Sequence, residues 1–142
     1  MEFEEYARKQ QTPNTPALPL LYALDSQLPR IAAEGIEARW ARHAAMASRT
    51  HAWAAEMSGT LGVPVELLAP RNERSHTVSA ITLPTGITGD QVVRGAAARG
   101  YVIGDGYGKL KGSTFRIGHM GDHTLETLEG CLAACAEVLS AP

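Results

Sequence analysis

The sequence predicts an α+β fold, a mostly antiparallel four-stranded sheet with helices packed on one side and two further helices ahead of it. Three observations carry that expectation. Apolar residues recur at helical spacing near both ends, at Leu21, Leu24, Leu28 and Ile31 and again at Leu125, Leu128, Leu132, Cys135 and Leu139. Short runs rich in β-branched residues lie between them. Turns and short connections separate those runs, which suits hairpins better than the long crossovers of a parallel sheet. A chain of 142 residues holds one ordinary domain with its own core and is too short for two comfortable ones.

Residues 1–19 read as a proline-rich arm, and residues 20–142 as a single α+β domain. Pro13, Pro16 and Pro19 fall within TPNTPALP, and each biases its predecessor away from helix. The first helix is expected from Leu20, with Pro29 kinking or shortening it and Gly35 breaking it. The second, longer helix turns Ile36, Trp40, Ala44, Ala47 and Ala54 towards the core and leaves Arg39, Arg42 and Arg49 largely outside. Gly59 and Gly62 end it. Strands are expected over Val63–Leu68 and Thr77–Leu83, followed by a turn at Pro84-Thr85-Gly86. Thr88 caps a third helix, and Gln91 three residues on completes a capping box. Gly100 stops that helix. A strand follows over Tyr101–Ile103, then a glycine-rich loop from Gly104 to Gly112, then a strand over Phe115–Gly118. The last helix starts near Thr124.

Composition narrows the partners. The chain is 44% apolar and 20% charged, with a net charge of −2, so it lacks the basic face that nucleic acid or a membrane surface usually needs. No stretch approaches the roughly 20 consecutive apolar residues of a membrane span. MEFEEYARKQQ is charged and polar, unlike a signal peptide. A cytoplasmic setting is expected, with Cys131 and Cys135 as small buried apolar residues rather than metal ligands. The five histidines show no metal-ligand spacing.

The segment GDGYGKLKGSTFRIGHMGD concentrates the candidate chemistry. Gly104, Gly106 and Gly108 alternate as in a dinucleotide fingerprint, but a strand follows them where that motif needs a helix. Lys111-Gly112-Ser113 reverses the order a phosphate loop requires. Arg116 lies between Phe115 and Ile117, so strand alternation turns it away from both. A planar guanidinium can hold a small carboxylate through two parallel hydrogen bonds. A surface ion pair or a snorkelling side chain is the commoner reading of such an arginine on the residues alone. His119 and His123 read as caps or loop contacts, since no nucleophile or acidic partner stands at a recognisable spacing. Asp122 suits the positive end of the last helix. In the arm, the hydroxyls of Thr12 and Thr15 suit either the cap of the first helix or an anion at its N-terminus.

TPNTPALPLLYALDSQL, EGIEARWARH and GYGKLKGSTFRIGHMGD together resemble the C-terminal third of class V aminotransferases, most of all the alanine–glyoxylate and serine–pyruvate aminotransferases. The resemblance runs from about Gln10 to Leu139. It implies the small C-terminal α+β domain of a fold type I enzyme, a homodimer that uses pyridoxal 5'-phosphate. It further implies that Arg116 grips the α-carboxylate of a small amino acid or 2-oxo acid. Thr15, with Thr12 beside it, would contact the cofactor phosphate of the partner subunit. The family's Schiff-base lysine lies upstream, in a large domain, and none of Lys9, Lys109 and Lys111 matches its place. The expectation is therefore a fragment of a transaminase acting on alanine or serine with glyoxylate or pyruvate, inactive alone and holding no cofactor stably. Apolar surface around Leu18, Leu20, Leu21 and Tyr22 is expected to drive self-association. The alternative is a stand-alone domain that binds small carboxylates or regulates through them.

Overall fold

The computed structural model describes residues 2–141. The chain divides into two units, Met1–Arg39 and Trp40–Pro142.

The first unit opens on α1, Glu2–Arg8, a short helix within the stretch read as a lead-in. Lys9 and Glu5 form an exposed ion pair at its end, 2.6 Å apart. Irregular chain through the prolines leads to α2, Leu18–Glu34. Pro19 occupies its first turn, where a missing N–H breaks no helical bond. Pro29 lies inside α2 and does not shorten it, since the helix runs on to Glu34. Gly35, with φ 84°, ends it by donating its N–H to the Ile31 carbonyl at 2.9 Å. None of the α2 residues is buried.

The sheet and its core belong to the second unit. α3, Ile36–Leu61, buries Met46, Ala47, Thr50, Trp53, Ala54 and Met57, a repeat of three and four that keeps one face inward. Ala47 and Ala54 are in the expected core. Ile36 and Trp40 are not, being 40% and 61% exposed, and Ala44 is half-buried. The apolar stripe is continuous in sequence, yet the buried part of it begins only at Met46.

Four strands follow: β1 (Glu66–Leu67), β2 (Val78–Thr82), β3 (Gly104–Asp105) and β4 (Thr114–Gly118). Their spatial order is β1-β2-β4-β3, antiparallel throughout. β1 is shorter than expected, and Pro64 beside it has no N–H to give a ladder. β3 starts three residues later than expected because the Tyr101 N–H is spent on the Ala96 carbonyl, 3.0 Å away. Gly100, with φ 87°, makes that turn.

On the covered face of the sheet Ile81 pairs with Phe115 and Ser79 with Ile117, all four buried. Trp53 of α3 meets Phe115 edge-on, with ring centroids 6.4 Å apart. α4, Gly89–Ala97, and α5, Leu125–Leu139, complete the layer and contribute Val92, Ala96, Leu128, Leu132 and Leu139. Thr88 and Gln91 form the expected capping box on α4, and Thr124 with Thr127 forms another on α5. Leu125 is 44% exposed, so the inner stripe of α5 starts at Leu128. Cys131 and Cys135 are free thiols buried in that stripe. Each large side chain fully withdrawn from water here stabilises the fold by about 1.5–3 kcal/mol. The observed architecture is the expected α+β fold, with a four-stranded antiparallel sheet and helices on one side.

Candidate functional site

The other face of the sheet is where Arg116 stands. It alternates with Phe115 and Ile117, so burying those two forces it outward. Ala80 is its register partner on β2 and Gly104 its partner on β3. A small residue on each side leaves the guanidinium room to lie across the sheet. A Cβ on Gly104 would sit 3.2 Å from Nη2 and 3.3 Å from Nε of Arg116.

Arg116 Nε donates to the Asp105 carbonyl at 2.8 Å, which fixes the plane of the group. Both Nη amino groups are without a partner among the described residues, and Arg116 forms no ion pair there. The surface-pair reading is therefore absent, while the geometry of an oriented fork is present.

The glycine-rich loop folds over the start of β4, on the same face as Arg116. Gly106 N–H donates to the Thr114 carbonyl at 3.1 Å, and the Thr114 hydroxyl donates to the Leu110 carbonyl at 3.0 Å. A Cβ on Gly106 would come within 2.1 Å of the Leu110 carbonyl oxygen. That close backbone approach explains why the position is a glycine.

In the first unit, Thr12 and Thr15 are both exposed. Thr12 Oγ1 donates to the Asn14 carbonyl at 2.6 Å. Neither caps α2, whose N-cap is Ala17 without a side-chain bond. The capping alternative for these hydroxyls is thus not what the fold uses. His123 is exposed, its carbonyl accepting from Arg42, and the cap of α5 is Thr124 rather than His123.

His119 is the larger surprise. It is fully buried, with Nε2 2.9 Å from Ser79 Oγ and Nδ1 3.1 Å from the His76 carbonyl. A carbonyl can only accept, so Nδ1 carries the proton and Nε2 accepts from Ser79. Burial holds its pKa below the ordinary value, partly offset by the bond to the His76 carbonyl. Sequence alone gave no sign of this, because Ser79 is 40 residues away.

Among the described residues no group of three or more His, Cys, Asp or Glu side chains is placed to hold a metal ion. No described helix is long and apolar enough to cross a membrane.

No protein-family model matches the sequence. Individual proteins do. An uncharacterized aminotransferase of Methanocaldococcus jannaschii is 41% identical over 118 residues, which is 82% of this chain and 29% of that protein. The serine–glyoxylate aminotransferase of Arabidopsis thaliana is 37% identical over 129 residues, 89% of this chain and 31% of that protein. The crystal structure of an alanine–glyoxylate aminotransferase from Nostoc sp. superposes with a TM-score of 0.76 at 26% identity, covering 92% of this chain and 34% of that one. Fold and sequence together place the chain among the aminotransferases. It belongs to their class V family, matching a C-terminal small domain. The chain spans about 30% of the length of the curated relatives it matches.

Aminotransferases use pyridoxal phosphate, which an enclosed lysine anchors. The lysines here do not fit that role. Lys9 is paired with Glu5, and Lys109 and Lys111 are exposed on the glycine loop.

Proposed function

We propose that this chain is the substrate-carboxylate-binding part of a pyridoxal-phosphate-dependent aminotransferase that passes an amino group from alanine or serine to glyoxylate or pyruvate. One observation carries the reading. Arg116 is oriented by the Asp105 carbonyl, lies over Gly104, and has no acidic partner among the described residues. A carboxylate meeting its two Nη groups would form charge-assisted bonds without displacing any existing pair. The guanidinium stays charged at any working pH, so the grip does not depend on proton balance.

In this reading the chain positions the substrate and performs no proton transfer at its α-carbon. Bound pyridoxal phosphate supplies the electron sink for that chemistry, on a lysine outside this chain. Thr15 and, less directly, Thr12 contact the cofactor phosphate of the partner subunit in a cytoplasmic homodimer. The exposed leucines and Tyr22 of α2 are part of the surface that self-associates or meets the rest of the enzyme.

Borohydride trapping with pyridoxal phosphate, read by intact mass and peptide mapping, tests the catalytic half of the reading. The expected result is no stoichiometric adduct. A stoichiometric adduct on Lys109 or Lys111 overturns it. The alternative, a stand-alone carboxylate-binding domain, rests on the same unpaired arginine. Calorimetry with pyruvate and glyoxylate separates the two. Saturable binding to the chain that needs Arg116 and no cofactor favours the stand-alone domain.

A further inference from the structure

A second concentration of unpaired positive charge stands apart from Arg116. Between α3 and the segment 71–76 lies a hollow of about 510 Å³, lined by Ser48 and His51 on one side and by Arg71, Arg74 and His76 on the other. Arg116 does not line it. Arg71, at the start of a 3₁₀ turn, forms no hydrogen bond or ion pair among the described residues. Arg74 is half-buried and uses only Nε, which donates to the Ala69 carbonyl at 3.1 Å, so its Nη groups are uncommitted. His51 Nε2 is closed off from solvent and has no hydrogen-bond partner.

The nearby acids do not neutralise this cluster. Glu66 lines an adjoining hollow with Arg74 and His51, and Glu73 lies in the turn itself, yet among the described residues neither pairs with Arg71 or Arg74. Burial, and after it the charge of Arg74, holds His51 below its ordinary pKa. A ring nitrogen buried without a hydrogen-bond partner destabilises the fold, and the Arg74 charge beside it adds to that. An anion in the hollow would be met by the uncommitted Nη groups of Arg74 and by the guanidinium of Arg71.

We propose that this hollow binds a phosphate-type oxyanion, with Arg71, Arg74, His51 and His76 as its donors. The donors come from separate backbone positions on two segments that line the same hollow. A tetrahedral dianion presents acceptor oxygens in several directions, whereas a monocarboxylate lies in one plane and is satisfied by a single guanidinium fork. The site takes either the free ion or the phosphoryl end of a small ester.

Calorimetry of the chain with inorganic phosphate, glycerol 3-phosphate and succinate, at constant ionic strength, is the test. Saturable one-to-one binding of a phosphate species, with succinate much weaker, is the expected result. Tighter binding of glycerol 3-phosphate identifies an ester as the source, and tighter binding of phosphate identifies the free ion. Arg71→Gln and His51→Gln should each weaken it by about tenfold. Arg71 is exposed and makes no bond, so its variant should keep the parent's melting curve. The proposal is overturned by an absence of saturable binding, by succinate binding as well as phosphate, or by affinity unchanged in both variants. It is also overturned if binding survives Arg71→Gln and is lost in Arg116→Gln, since the anion would then sit on the sheet-face arginine.

Discussion

Gly104 stands directly across the β3–β4 pair from Arg116, and the guanidinium occupies the space a side chain at 104 would take. The glycine is therefore part of the arginine's seat. Its neighbour Asp105 supplies the carbonyl that holds Nε, so two consecutive residues set the position and the plane of the fork.

Enlarging that residue should disturb binding more than folding. Gly104→Val brings a side chain against Nη2 and Nε and pushes the guanidinium off the sheet. Built into the whole enzyme, for instance by exchanging this chain for the matching segment of a serine–glyoxylate aminotransferase, it should raise the substrate KM by about tenfold. The melting temperature should hold, because the displaced group is exposed. A KM equal to the parent's would mean the seat is irrelevant to substrate.

Removing the arginine is the stronger perturbation. In the same enzyme Arg116→Gln should cost about 2–5 kcal/mol in kcat/KM for amino acid and oxo acid alike, since the carboxylate is common to both. Denaturant unfolding of the isolated chain should barely change, because Arg116 has no ion pair among the described residues to lose. Equal kcat/KM in variant and parent would remove Arg116 from the site.

His119 makes stability depend on pH. Its pKa in the folded chain lies below the ordinary value near 6.5, chiefly through burial, so as pH falls the unfolded chain takes up the proton first. Its stabilising effect is complete above about pH 6.5 and is lost below it, at up to about 1.4 kcal/mol per pH unit. His51, also lowered by burial first, acts in the same direction. Urea midpoints between about pH 7.5 and 5.5 should fall on acidification, and less steeply in His119→Gln. A midpoint flat across that window would contradict a buried neutral histidine.

The packing of α4 on α5 depends on a close approach at one glycine. A Cβ on Gly95 would lie 2.4 Å from Cγ2 of Val138 and 2.9 Å from Cγ1. Gly95→Ala should therefore destabilise the chain by about 1–3 kcal/mol, despite alanine's better helix propensity. Adding Val138→Ala should recover much of that loss. Equilibrium unfolding of the four combinations measures the coupling, and additive effects would place the two residues out of contact.

Much of this was legible in the sequence because it is local. A capping box needs only Thr88 and Gln91 at the right interval, a helix end only Gly35 or Gly100, and a strand face only the alternation around Arg116. Those signals determined the α+β class, the outward direction of Arg116 and most helix limits. The tertiary structure decided what depends on distant partners. Trp40 lies on the same stripe as Ala47 and is exposed, because periodicity specifies a face and not what covers it. Strand β3 begins at Gly104 because the Tyr101 N–H was already committed to α4. The partner of His119 is Ser79, and the plane of Arg116 is set by Asp105, pairings made only when strands far apart in the chain take their register. Local sequence fixes the direction of a side chain through steric limits on its own backbone, whereas what it meets depends on the register and packing of the whole sheet.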